Sequence, residues 1–225
     1  MMGPAIGEFL PMAVGVAISP IPIIAVILML FSDRARRDSL AFLIGWVVVS
    51  ALALTVLIAL ASTQELSTGG EPSSTVSWIK LILGVVLVLL AVKEWRRRPT
   101  AGAEASLPAW MEKIDSVKPV AALGLALILS VANPKNLLLI AGGAIAIAQA
   151  DLSSSETAVA VLTFTLIGAV GVAIPTLGYL FMGERIQPSL DRAKAWLAAN
   201  NTAVMSVLLL VIGVALLGKG LGGLV

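Results

Sequence analysis

Cysteine and histidine are both missing from this 225-residue chain, and charged side chains make up only 12% of it. The first absence excludes disulfides, thiol relays, c-type haem attachment and the usual zinc sites. The scarcity of charge excludes more. A soluble domain is about a quarter charged and about half apolar, whereas this chain is 59% hydrophobic with a mean hydropathy of +1.02. A soluble globular protein, a disordered chain and a fibrous one are therefore all set aside. No phosphate-cradling glycine-rich loop is present, so no nucleotide-driven step is expected. No cluster of carboxylates falls inside an apolar run, so no resident metal or other cofactor is expected. Net charge is only +2, and no nucleic-acid partner is expected.

What is there is a series of long apolar runs. A helix that crosses a bilayer needs about 20 mostly apolar residues. Six runs qualify, at about 6–30, 38–62, 76–94, 118–150, 156–182 and 200–219. The fourth is interrupted at Asn133-Pro134-Lys135-Asn136, but its halves are too short to cross singly, so it reads as one broken span. The sequence thus predicts an all-α membrane protein with six transmembrane helices.

Basic residues set the orientation. Arg34, Arg36 and Arg37 follow the first span. Lys93, Arg96, Arg97, Arg98, Lys113 and Lys118 follow the third, and Arg185, Arg192 and Lys194 follow the fifth. Twelve of the 15 Lys and Arg residues thus share one side, and the loops at 63–75 and 151–155 carry none. By the positive-inside rule the loaded side is cytoplasmic and both termini are extracytoplasmic. The first basic residue is Arg34, so no charged leader is expected and the first span is read as retained. Trp46, Trp78 and Trp95 read as interfacial anchors or packing residues. Two segments on the basic side, 106–118 and 186–199, have helical apolar spacing and read as interfacial or loop helices. Close helix contacts are expected at Gly3, Gly7, Gly142, Gly143, Gly168 and Gly171.

The two halves echo each other. Ser19-Pro20-Ile21-Pro22 in the first span corresponds to Asn133-Pro134-Lys135-Asn136 in the fourth. Leu43-Ile44-Gly45 matches Leu166-Ile167-Gly168, and Ile82-Leu83-Gly84-Val85 matches Val211-Ile212-Gly213-Val214. An odd number of spans per half makes the repeats inverted, with spans 1 and 4 broken at Pro. The expected organisation is a first three-helix repeat at 1–95, a cytoplasmic linker at 96–117 and a second repeat at 118–225.

Interrupted spans at corresponding positions point to the binding site of a secondary transporter. Proline has no N–H and favours the first turn of a helix, and Ser and Asn are good caps. Ser19 and Asn133 are therefore expected to cap half-helices whose N-terminal amides and partial positive charge face the bundle. Ser19, Pro20, Pro22, Asn133, Pro134, Lys135 and Asn136 are the candidate substrate-binding residues. Lys135 lies midway along a span, where an ionisable group is a functional candidate by default. It is read as a site for an anion or polar head group, with packing and proton coupling as the alternatives. Glu8 is the one acid expected to reach a cavity and is the second coupling candidate. Lys80 is expected to snorkel outward, and Asp33 and Asp38 to be solvated. A Ser19–Lys135 nucleophile–base pair lacks an orienting third group, so no catalytic residue is assigned and no enzyme is expected.

The block from Ser19-Pro20-Ile21-Pro22 through Arg34-Ala35 to Leu40-Ala41-Phe42-Leu43-Ile44-Gly45-Trp46 resembles the glycopeptidolipid- and sulfolipid-addressing (GAP) family. Asn133-Pro134-Lys135-Asn136 extends the resemblance to the LysE superfamily of exporters. It implies a plasma-membrane protein that helps move envelope glycolipids to the cell surface, and it implies inverted three-helix repeats. The partners it implies are membrane lipids, an amphipathic lipid substrate, a second copy of the chain and a larger lipid-export machinery. The alternatives are an exporter of small metabolites such as amino acids and a non-transporting accessory subunit.

Overall fold

The computed structural model describes residues 2–62, 67–68, 71–72, 74–97 and 119–224. The apolar runs form α1 (Met2–Ala17), α2 (Pro20–Leu30), α3 (Ala35–Ser62) and α4 (Ser74–Arg96), then α5 (Pro119–Leu127), α6 (Pro134–Ala148), α7 (Ser154–Met182) and α8 (Gln187–Gly222). A π-helical turn, Ile128–Ala132, joins α5 to α6, and a 3₁₀ turn, Gly183–Ile186, joins α7 to α8. Two-residue strands, Ser67–Thr68 and Glu71–Pro72, pair antiparallel between α3 and α4. Helices dominate because apolar runs in lipid must satisfy every backbone group within their own segment. The expected segment 106–118, with Leu107 and Trp110, lies outside the described residues.

Ala35–Ser62, Ser74–Arg96 and the 69-residue run Ser154–Gly222 are each long and apolar enough to cross a membrane. The bent pairs α1–α2 and α5–α6 bring the number of candidate spans to five if each pair is one span. The chain is a multi-pass helical membrane protein. Within the 69-residue run, Gly183 has φ 60° and ends α7. The segment 186–199 is not a separate loop helix: Ile186 ends the 3₁₀ turn and the rest is the opening of the 36-residue α8. Its Leu190 is buried, while Trp196 is exposed.

Helix entry and exit follow local chemistry. Ser153 and Glu156 form a capping box at the start of α7, each side chain accepting from the other's backbone N–H. Packing then depends on small residues. A Cβ on Gly84 would lie 2.9 Å from the carbonyl oxygen of Gly213, and one on Gly213 would lie 3.0 Å from that of Gly84. α4 and α8 therefore approach backbone to backbone. Gly45 of α3 takes Leu123 and Ala126 of α5, and Gly168 of α7 takes Val16 and Ala13 of α1. Phe9, Phe42, Trp46 and Phe164 are fully buried.

Trp46 is no interfacial anchor. It is 1% exposed and its indole N–H donates to the Gly168 carbonyl at 3.3 Å, while Phe42 stacks beside it. A buried indole needs an acceptor, and α7 supplies it. Trp78 and Trp95 are exposed, as anchors are.

Candidate functional site

The first break bends α1 against α2 by 45°. Ser19 is extended, at φ −64° and ψ 114°, and buried, but its side chain makes no capping bond. Pro20 and Pro22 occupy the first turn and have no N–H, so Ile21 is the one donor left for a cap. The break is held instead from α7: Gly171 lies directly against the Ala17 carbonyl, where a Cβ has no room.

The second break bends the chain by 66°. Here the cap forms. Asn133 is extended, at φ −78° and ψ 111°, and its Oδ1 accepts the backbone N–H of Lys135 at 3.1 Å. A π turn directs the Leu129 carbonyl to residue 134, but Pro134 has no hydrogen to give. Asn136 supplies the missing donor, its Nδ2 bonding to the Leu129 oxygen at 2.9 Å. Asn136 is fully buried, and its Oδ1 has no partner. One turn earlier, Ser130 of the π segment shares a 2.9 Å hydroxyl bond with Ser50 of α3. The break thus has a buried polar side, made by Ser130 and Asn136, while Ala132 and Pro134 are exposed.

Lys135 carries the charge at this break. Its Nζ lies 2.8 Å from Oε1 of Glu94, with both side chains largely shielded, at 15% and 11% exposure. Glu8 is therefore not the only acid that reaches the interior. Glu94 stands in the last turn of α4, where the helix dipole disfavours a carboxylate, and the ammonium offsets that. Glu94 was missed because it sits among Lys93, Arg96 and Arg97 and reads as a solvated loop charge. A signal was present. Ser77, Lys80, Gly84, Leu87, Ala91 and Glu94 recur at alternating spacings of three and four, and all are buried. Among the described residues no hydrogen bond joins Ser19 to Lys135 or to Asn133.

The remaining charges are placed differently from expectation. Lys80 does not snorkel: it is 7% exposed and borders a cavity of about 10 Å³ with Glu8 and Lys219. Side chains of α1, α6 and α8 line that cavity with it, and Glu8 and Lys219 pair at 3.7 Å. Asp33 is exposed as expected, but Asp38 is 2% exposed. It lies in the first turn of α3, which favours an acid, and its Oδ2 accepts from the Ser32 hydroxyl at 3.4 Å. Its Oδ1 has no partner. Among the described residues no group of His, Cys, Asp and Glu is arranged to hold a metal.

A multi-pass bundle with two proline-broken helices, one of them carrying a lysine paired with a shielded glutamate of α4, defines a class of membrane protein that holds polar groups within an apolar frame. The model of one family, described as Sap, sulfolipid-1-addressing protein, matches residues 9–222, and the chain belongs to that family. The description ties the family to sulfolipid addressing, a lipid-related membrane role. No curated protein and no solved structure matches the chain.

Proposed function

We propose that the chain is a secondary exporter of an amphipathic envelope lipid across the plasma membrane. In this reading it has six spans in two inverted three-helix repeats, both termini are extracytoplasmic, and the repeats rock about the broken helices. It belongs with the LysE superfamily of exporters and does its work without covalent chemistry. The membership just described supplies the lipid.

The repeat reading has support in the packing. Exchanging α1–α4 with α5–α8 maps the contact of Gly45 with α5 onto that of Gly168 with α1. The same exchange maps the pairing of Gly84 and Gly213 onto itself. Dividing the run Ser154–Gly222 at Gly183 supplies the sixth span, since 69 residues at about 1.5 Å each far exceed a hydrocarbon core of about 30 Å.

The observation that carries the transport reading is the Lys135–Glu94 pair beside the second break. A shielded ammonium held by one carboxylate is exchangeable: an anionic head group replaces Glu94 on Lys135, and the displaced carboxylate, shielded at the end of α4, then takes up a proton or turns to water. Asn136, with its unpartnered Oδ1, adds an acceptor for a sugar hydroxyl.

The test is translocation by purified protein in proteoliposomes, using a fluorescent sulfated glycolipid. The wild type is expected to move it and Lys135→Ala to lose most of that activity. Equal translocation by the variant contradicts the mechanism. Amino-acid counterflow without lipid movement moves the assignment to a small-metabolite exporter. Activity that appears only with a co-purified partner moves it to an accessory subunit.

A further inference from the structure

The joints α2–α3 and α7–α8 meet at the basic end of the bundle and enclose an open cleft of about 690 Å³. That volume lies within the range of small-molecule sites, about 300–1,000 Å³. Arg34, Arg36 and Arg37 line it, with Tyr179 and the buried end of α2 as its floor. Asp33 and Glu184 also border it, so cations exceed anions by one. None of the three arginines forms an ion pair among the described residues. Lys194 lies over the Phe31 ring of the cleft wall at 4.8 Å, but its ammonium is paired with Asp191 at 3.0 Å and adds no net charge. Beside Tyr179, Phe181 and Met182 are exposed at the end of α7. Three arginines, Phe31 and Tyr179 thus line the cleft, and Met182, three residues on from Tyr179, puts exposed apolar surface on the same side of α7.

We infer that this cleft is a second lipid site, separate from the broken helices, which binds the oxyanion head group of a membrane lipid. Arginine forks match tetrahedral oxyanions in paired hydrogen bonds, which distinguishes this site from the point charge at Lys135. The acyl chains lie along Met182. A sulfate ester and a phosphate diester present the same chemistry here. Binding at the cleft requires no translocation, so it stands or fails apart from the export reading.

The full-length protein in detergent provides the test. Thermal stabilisation is titrated with short-chain phosphatidylglycerol, with phosphatidylcholine of the same chain length and with inorganic phosphate. Phosphatidylglycerol is expected to stabilise the wild type and phosphatidylcholine is not. Stabilisation by phosphate as well makes the oxyanion alone sufficient; its absence makes the leaflet lipid the ligand. The triple variant R34Q/R36Q/R37Q is expected to weaken phosphatidylglycerol at least tenfold. The control K93Q/R96Q/R97Q removes the same charge elsewhere on the basic end and is expected to change it less than twofold. Arg36→Gln alone, expected to weaken binding severalfold, gives the answer if the triple variant fails to fold. Equal losses in test and control variants, an unchanged affinity in Arg36→Gln and the triple variant, or no preference for the anionic lipid overturns the site.

Discussion

Gly84 and Gly213 face each other across α4 and α8, each lying where the other's carbonyl leaves no space for a side chain. They occupy the matching positions of Ile82-Leu83-Gly84-Val85 and Val211-Ile212-Gly213-Val214. Each carbonyl stands about where the other residue's Cβ would have to go, so neither helix can yield alone. Gly84→Ala and Gly213→Ala are each expected to destabilise by about 1–3 kcal/mol, the usual range for overpacking. Gly218→Ala, where nothing lies within 4 Å, is expected to be neutral or stabilising by up to about 1 kcal/mol. Thermal melts of the three purified variants check this.

The two breaks are expected to differ in their dependence on the capping residue. Asn133→Ala removes a cap bond that forms, and is expected to cost about 1 kcal/mol. Ser19→Ala removes no cap bond, and its effect is expected within about 0.5 kcal/mol. Melting temperatures compared in one detergent read the contrast. A larger loss for Ser19→Ala contradicts the account of the first break.

Trp46→Phe keeps most of the buried ring and removes its N–H, leaving the Gly168 carbonyl without that donor. A loss of about 0.5–1.5 kcal/mol is expected, the range of a net hydrogen bond. Gly168→Ala brings a methyl within 3.3 Å of Val16 and acts on the same α1–α3–α7 junction. The pair is expected to be non-additive in a double-mutant cycle.

Because the chain has no cysteine, single-cysteine variants report topology without background. With a membrane-impermeant maleimide on intact cells, Gly3→Cys and Asp151→Cys are expected to label. Arg36→Cys and Glu184→Cys are expected to label only after lysis. Labelling of Glu184→Cys and Asp151→Cys from the same side means that α7 does not cross, and removes the sixth span.

The breaks were legible because proline and a capping residue act locally. Pro20 and Pro134 each open a helix directly after a Ser or Asn, whereas Pro11 and Pro175 lie inside unbroken helices, so the residue before the proline carried the information; the order of the matched glycines survives differences in loop length. Charge placement was not legible in the same way. Lys80 reads as snorkelling from its place near the end of a span and Asp38 as solvated from its place beside the Arg cluster, whereas their burial depends on what covers them. Lys80 borders a small cavity shared with α1, α6 and α8, and Asp38 accepts from Ser32 at the α2–α3 joint. Trp46 was read by its nearness to a span end, yet the acceptor for its N–H lies 122 residues away on α7. Glu94 fell between the two cases. The alternating three–four stripe through Gly84 reaches it, but the run of basic residues around it hid the pattern.

The pair Lys135–Glu94 is the centre of the account, and ligand binding tests it most directly. Thermal stabilisation by a sulfated glycolipid is measured for wild type, Lys135→Ala and Glu94→Gln, since a ligand that binds only the folded state raises its stability. The account predicts stabilisation of the wild type, its loss in Lys135→Ala, and a severalfold tighter response in Glu94→Gln, where the ammonium no longer has a competing carboxylate. Unchanged stabilisation in Lys135→Ala contradicts it.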